Sequence, residues 1–142
     1  MRYIECRINI RVRFSESDAM GVVWHGNYLK YFEEGREYLG KQLGMTYQDI
    51  YKQGFVAPIV KLNVNYKTPI RFGEEMEVIT RFMETKAAKV VYNYEVWNLT
   101  TGKLSCKGST EQVFLNEKER TLELFMPSFF TDWLKNLKWS VE

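Results

Sequence analysis

One stretch of this chain, Asn27 to Leu43, repeats its apolar residues at helical spacing, while most of the long stretches around it alternate with a period of two. Tyr28, Phe32, Gly35, Leu39 and Leu43 fall on one face of the expected helix. Gly44 follows as a stop signal. Upstream, Ile8, Ile10, Val12 and Phe14 alternate with polar residues, so Arg7 to Phe14 reads as a strand. Downstream, Val60, Leu62, Val64 and Tyr66 alternate with Lys61, Asn63, Asn65 and Lys67 until Pro69 and Gly73 interrupt the pattern. Three more strands fit Met76 to Glu84, Lys89 to Asn98 and Lys103 to Leu115, joined by short polar loops that favour antiparallel neighbours. Thr100-Thr101-Gly102 reads as a hairpin turn, Thr46 to Gln53 as a short second helix, and Ser128 to Leu137 as a last amphipathic helix.

A single long helix among five strands has few ways to bury its apolar stripe. The expected class is α+β: an antiparallel five-stranded sheet curled around a long central helix. Gly35 and Gly40 lie inside that helix, where each costs up to about 1 kcal/mol against Ala. Either a neighbouring backbone approaches closely there, or both glycines sit on an exposed face. The sheet's remaining surface and edges invite a second subunit.

The 142 residues fit one domain, 1–142, with no linker, repeat or low-complexity segment. Net charge is only +2 and the basic residues form no long run, which argues against nucleic-acid binding. No apolar run approaches the ~18 residues of a membrane helix, and the N-terminus is charged where a signal peptide is apolar. A cytoplasmic protein is expected. Cys6 and Cys106 stand far apart without CxxC spacing and read as reduced, packed thiols. With one histidine besides, a metal site is not expected. The abundant aromatics read as core and subunit interface.

Chemistry concentrates between the first strand and the long helix, in Arg11-Val12-Arg13-Phe14-Ser15-Glu16-Ser17-Asp18-Ala19-Met20-Gly21-Val22-Val23-Trp24-His25-Gly26-Asn27-Tyr28. Asp18 sits in the loop, and Gly21 and Gly26 admit backbone conformations that other residues resist. The run ends where a helix begins, so its first amides point outward unpaired and can stabilise developing negative charge. A carboxylate beside such amides can attack a carbonyl carbon or deprotonate the water that attacks it. An Asp in a loop also serves as a turn or cap residue, and a lone His near a helix start also serves structurally.

This stretch resembles the active-site signature of the 4-hydroxybenzoyl-CoA thioesterase family, whose members have the hotdog fold. In that signature a basic residue or Gln precedes a branched apolar residue. Then come Thr or Cys before the catalytic Asp, a Gly, a branched residue and Val, a His or Phe, and an aromatic. Arg11, Val12, Ser17, Asp18, Gly21, Val22, Val23, His25 and Tyr28 fill those slots. Ser17 is the departure, and it keeps a hydroxyl. The order of elements resembles the hotdog arrangement over nearly the whole chain, and Asn65 to Gly73 resembles a strand end common in these enzymes.

The resemblance implies an acyl-CoA thioesterase, with coenzyme A or the phosphopantetheine arm of an acyl-carrier protein as leaving group. It implies Asp18 as nucleophile or general base, the His25 amide as carbonyl-polarising donor, and the His25 side chain in a lesser role at the site. Gly21, Trp24 and Tyr28 are expected to border the substrate. No cofactor is implied, since coenzyme A is part of the substrate. Homodimers or homotetramers are implied, with active sites between subunits. Two other readings stand beside this one: a hotdog dehydratase using Asp18 and His25 as an acid/base pair, and a non-catalytic acyl-CoA-binding module. The chain has no Gly-x-Ser-x-Gly elbow, P-loop or dinucleotide fingerprint. Phe55, Tyr66 and Trp97 are expected to shape the acyl pocket. Arg71, Lys86, Lys89 and Arg120 are, by charge alone, candidates to meet coenzyme A phosphates, with an ordinary surface role as the alternative for each.

Overall fold

The computed structural model describes residues 2–141. Its strands are β1 (Arg2–Arg11), β2 (Phe55–Val56), β3 (Ile59–Tyr66), β4 (Glu75–Met83), β5 (Lys89–Asn98), β6 (Lys103–Val113), β7 (Leu115–Asn116) and β8 (Ser140–Val141). Its helices are α1 (Tyr28–Leu43), α2 (Tyr47–Lys52) and α3 (Ser128–Lys135). The main sheet runs β3-β6-β5-β4-β1-β8, with every neighbouring pair antiparallel. A two-stranded ribbon pairs β2 with β7.

The five expected strands are present, but the sheet has six. The extra strand, β8, pairs only Arg2 with Val141 and Tyr3 with Ser140. Two residues are too few for an alternating pattern to announce them. β1 also begins at Arg2, not Arg7, because Tyr3 to Cys6 continue the ladder opposite Met83 to Thr80. It ends at Arg11, and Phe14 belongs to a 3-10 turn, Phe14–Glu16. The Thr100 to Gly102 turn is held by Asn98, whose Oδ1 accepts from the Thr100 and Thr101 amides at 2.9 and 3.2 Å.

The inward face of the sheet carries α1. Phe32 is fully buried, stacks on Tyr94 at 4.2 Å with rings 8° apart, and lies over Gly108. A Cβ at Gly108 would come within 2.5 Å of that ring. Burying a side chain of this kind contributes about 1.5–3 kcal/mol. One turn further along, Gly35 faces Thr80 of β4, and an added Cβ would stand 2.0 Å from the Thr80 Oγ1. Gly35 therefore marks close approach of helix and strand, not an exposed face. Gly40 lets the chain turn back instead: a Cβ there would meet the Met45 carbonyl oxygen at 2.7 Å. The Met45 amide donates to the Gly40 carbonyl at 2.8 Å, and Gly44 takes φ +75°, ending α1 in a left-handed cap.

A second apolar cluster closes the far end of α1. Phe130 of α3 packs on Phe114 with ring centroids 5.0 Å apart. The Trp133 indole donates to the Leu43 carbonyl at 2.7 Å, satisfying one of the acceptors a helix end leaves free. The outward face of the sheet is polar. There Arg81 donates to Glu5 and Glu95 at 2.8 and 2.7 Å, and Lys89 to Glu111 at 2.8 Å. Such half-exposed pairs contribute little stability; their main effect is to keep this face wet.

Seating α1 through Gly35 has a measurable consequence. Gly35→Ala should destabilise the protein by about 1–3 kcal/mol, the range for forcing atoms into a packed core, despite the better helix propensity of Ala. Combining it with Thr80→Ala, which removes the Oγ1, should cost less than the two single changes added. Urea unfolding of the four proteins in this cycle checks both statements.

Candidate active site

Three short segments fold the Asp18 loop. The Glu16 carboxylate accepts from the Arg13 amide at 2.9 Å and fixes the first turn. The Ser17 hydroxyl donates to the Phe14 carbonyl at 2.7 Å, so in this chain it is committed to that turn. Asp18 opens the second turn. Its Oδ1 accepts from the Met20 and Val22 amides at 2.8 and 3.4 Å, and its own amide donates to the Val22 carbonyl at 2.8 Å. Gly21 closes the turn with φ +77°, a conformation that L side chains rarely adopt. The carboxylate is half-buried. Oδ1 is thus anchored by the loop, while Oδ2 has no hydrogen bond among the described residues.

The returning arm of the loop is stitched to the segment before β4. The Val23 amide donates to the Ile70 carbonyl at 2.8 Å, and the Phe72 amide to the Gly21 carbonyl at 3.1 Å. Val22 also bridges Arg71. The two sequence stretches singled out separately, Asp18 to Tyr28 and Asn65 to Gly73, are therefore one substructure.

The loop then enters α1 through a 3-10 turn, His25–Asn27. The Asn27 amide donates to the Trp24 carbonyl at 2.9 Å. Neither the His25 nor the Gly26 amide has an acceptor among the described residues, as expected for the first donors of a helical run. The Trp24 ring folds over Gly26, where a Cβ would lie 2.2 Å from it. Trp24 is half-exposed and its ring lies 4.8 Å from the His25 ring. His25 is exposed, and its carbonyl accepts from the Tyr66 hydroxyl at 2.7 Å. Asp18 and His25 are not hydrogen-bonded to each other. Gly21 is exposed at the loop tip.

Tyr28 is placed differently from the other expected site residues. It is buried, with its hydroxyl 2.9 Å from that of Ser105, and its ring stands edge-on to Tyr66 at 5.4 Å. Burial pushes its phenol above the ordinary range. In this chain it forms the floor beneath Tyr66.

Of the three aromatics expected to shape an acyl pocket, only Tyr66 stands here. Phe55 lies on the β2–β7 ribbon, stacked on Phe129 at 5.6 Å, and Trp97 lies on the outward face with its indole donating to Glu95 at 2.8 Å. Period-two alternation says which residues share a face, but not which face meets the helix. Of the four cations singled out by charge, Arg71 borders the loop through Val22, and Lys89 is paired with Glu111 on the far side. Both cysteines are free and buried, and burial pushes their thiols up to about 11, so both are protonated at neutral pH.

Sequence reading missed Asn27 and Glu16. The Glu16 carbonyl accepts from the Asn27 side chain at 2.7 Å and the Trp24 amide at 2.9 Å, which ties the start of α1 to the turn before Asp18. Asn at a helix start was the available signal, although here it bonds backward into the loop and caps no amide of α1.

The Thioesterase-like superfamily matches residues 12–134 of the chain. A Bacillus subtilis protein, YneP, provisionally named an acyl-CoA thioesterase, is 38% identical over 124 residues, covering 87% of this chain and 88% of its own. A DHNA-CoA thioesterase from Staphylococcus aureus superposes with a TM-score of 0.82 at 36% identity, covering 92% of this chain and 87% of that one. TT1821 from Thermus thermophilus, a hypothetical protein, superposes with a TM-score of 0.80 at 30% identity over 93% of this chain and 98% of its own.

Removing the Asn27 side chain should loosen this site without dismantling the fold. Asn27→Ala is expected to cost about 1 kcal/mol, the ordinary contribution of one hydrogen bond. Amide exchange of residues 16–27 should rise while that of β4 and β5 stays unchanged.

Proposed function

Since the chain belongs to the Thioesterase-like superfamily, we propose that it is an acyl-CoA thioesterase whose hydrolysis runs through Asp18. One observation carries the assignment of the residue. Asp18 has one carboxylate oxygen anchored by two loop amides and the other unengaged, on a loop that leads directly into the unpaired His25 and Gly26 amides. A bare turn residue needs the first oxygen only.

In this reading the acyl thioester carbonyl oxygen takes hydrogen bonds from an amide at the start of α1, preferably that of His25. Its carbon is attacked by water as Asp18 Oδ2 accepts the water proton. The tetrahedral intermediate collapses, the C–S bond breaks, and the thiolate leaves and takes up the proton. Direct attack by Oδ2 gives a mixed anhydride that water then hydrolyses to the same products. Either route needs the negative charge of Asp18, worth about 10²–10⁴-fold as a general base. An amide polarising the oxyanion contributes on the order of 10²–10³-fold.

Gly21 and Trp24 border the substrate in this reading, with Tyr28 supporting from below. The imidazole of His25 orients substrate or water. No cofactor enters: coenzyme A, or an acyl-carrier protein, arrives as part of the substrate. No helix of the described residues is long and apolar enough to cross a membrane, and a cytoplasmic setting belongs to the same proposal.

A second copy of the chain completes the site. β3 is one edge strand of the main sheet, and Ile59, Val60, Leu62 and Tyr66 along it are 42–58% exposed. An unpaired apolar edge is a template for another strand. Tyr66 sits on that edge and bonds His25, so a neighbour pairing there would stand beside the catalytic loop. Light scattering should return twice or four times the 16.9 kDa chain mass. A monomer at micromolar concentration would contradict the shared site.

The assay is release of free thiol from a panel of acyl-CoAs. Asp18→Asn keeps an oxygen for the Met20 and Val22 amides, so its melting temperature should stay within a few degrees. Its turnover should fall by about 10²–10⁴-fold with acyl-CoA still bound. His25→Phe, which leaves the amide in place, should lose far less. A stable Asp18→Asn protein with full turnover would overturn the mechanism.

A further inference from the structure

A cavity of about 360 Å³ lies at the other half of α1, between that helix, α2, the inward face of β5 and β6, and α3. Asp18, Gly21, Trp24, His25 and Tyr28 do not line it. Its wall holds Arg36, which is only 7% exposed, on the helix face that the sequence pattern marks as apolar. Taking a guanidinium out of water costs several kcal/mol unless a counter-charge accompanies it. Arg36 takes part in no salt bridge among the described residues. Its partners are two neutral phenols: Nε donates to the Tyr47 hydroxyl and Nη1 to the Tyr94 hydroxyl, each at 3.0 Å. Glu37 also lines the cavity, but it is solvent-exposed.

The other polar groups are also incompletely used. The Tyr47 oxygen accepts from Arg36 and from the Gln112 Nε2 at 3.2 Å, which leaves its own hydrogen to donate. Gln112 is 2% exposed, and its Oε1 has no donor. Arg36 Nη2 makes no hydrogen bond among the described residues. Unused donors on Arg36 Nη2 and Tyr47 form a pair suited to the two oxygens of a carboxylate. Lys41, Thr46 and Gln48 also border the cavity, and Ile50, Val90, Phe130 and Trp133 supply an apolar wall.

We propose that this cavity is a second ligand site, which binds a small apolar carboxylic acid as its anion, with the carboxylate on Arg36 and Tyr47 and the hydrocarbon among Ile50, Val90, Phe130 and Trp133. A free acid is also the class of product that thioester hydrolysis releases, but the site is defined by its own groups and does not depend on that activity.

Calorimetric titration of the intact protein with octanoate, octan-1-ol and octanamide tests it without any turnover. Octanoate should bind at least tenfold more tightly than either neutral analogue. Arg36→Gln should erase that preference. Because Arg36→Gln can also weaken folding, Ala57→Leu provides a second route: Ala57 lines the cavity, and a larger side chain fills it with Arg36 untouched. It should weaken octanoate at least tenfold at an unchanged circular dichroism spectrum. Asp18→Asn should bind octanoate as the unaltered protein does. Equal binding of octanoate and octan-1-ol, no binding of octanoate, or loss of binding in Asp18→Asn with retention in Ala57→Leu would each overturn the proposal.

Discussion

α1 lies so close to the sheet that two glycines, one on each side, set the distance. Gly35 on the helix admits Thr80, and Gly108 on the sheet admits Phe32. Close packing of this kind is stiff, because interiors have few voids into which a displaced group can relax. The rest of the molecule depends on that seating. It fixes where α1 begins, hence where the His25 and Gly26 amides point. It also fixes where α1 ends, at the left-handed Gly44 that follows the Leu43 carbonyl bound by the Trp133 indole.

The Asp18 loop takes its shape from inside and its position from outside. Inside, Asp18 Oδ1 gathers two amides and Gly21 supplies the positive φ. Outside, Ile70 and Phe72 hold the returning arm, and Asn27 holds the helix start to Glu16. A carboxylate held this way keeps one oxygen in fixed geometry and the other unused, which is how an enzyme positions a reactive group without ordering it during the reaction. The same anchoring oxygen makes Asn a close structural substitute, so charge and shape can be separated at this position.

Both halves of α1 present positive charge, in different forms. The N-terminal end presents free amides that favour developing negative charge, beside an exposed imidazole. The second half buries the Arg36 guanidinium against phenols at the wall of a cavity. Arg36 sits between Phe32 and Leu39, positions that the apolar pattern assigns to the core. A pattern of apolar residues has no means of marking a buried cation, since it scores Arg as surface. Only the geometry of Tyr47, on α2, and Tyr94, on β5, shows what shields it.

Sequence alone determined the local features. A change of period located α1 and the four strands after it, because side-chain direction repeats every 3.6 residues in a helix and every two in a strand. Gly44 marked the helix end and Thr46 the next start, because left-handed backbone and side-chain capping are properties of single residues. The spacing of Asp18, Gly21, Val22, Val23, His25 and Tyr28 singled out this loop and pointed to the family. The tertiary structure decided everything that depends on distance between segments. It joined Asp18 to Tyr28 with Asn65 to Gly73, buried Tyr28 as a floor, sent Trp97 outward and Phe55 to the far ribbon, and added β8 at the edge. Each of these follows from which face of the sheet meets α1 and how near it comes. That is settled by packing between residues tens of positions apart, which periodicity within one element does not encode.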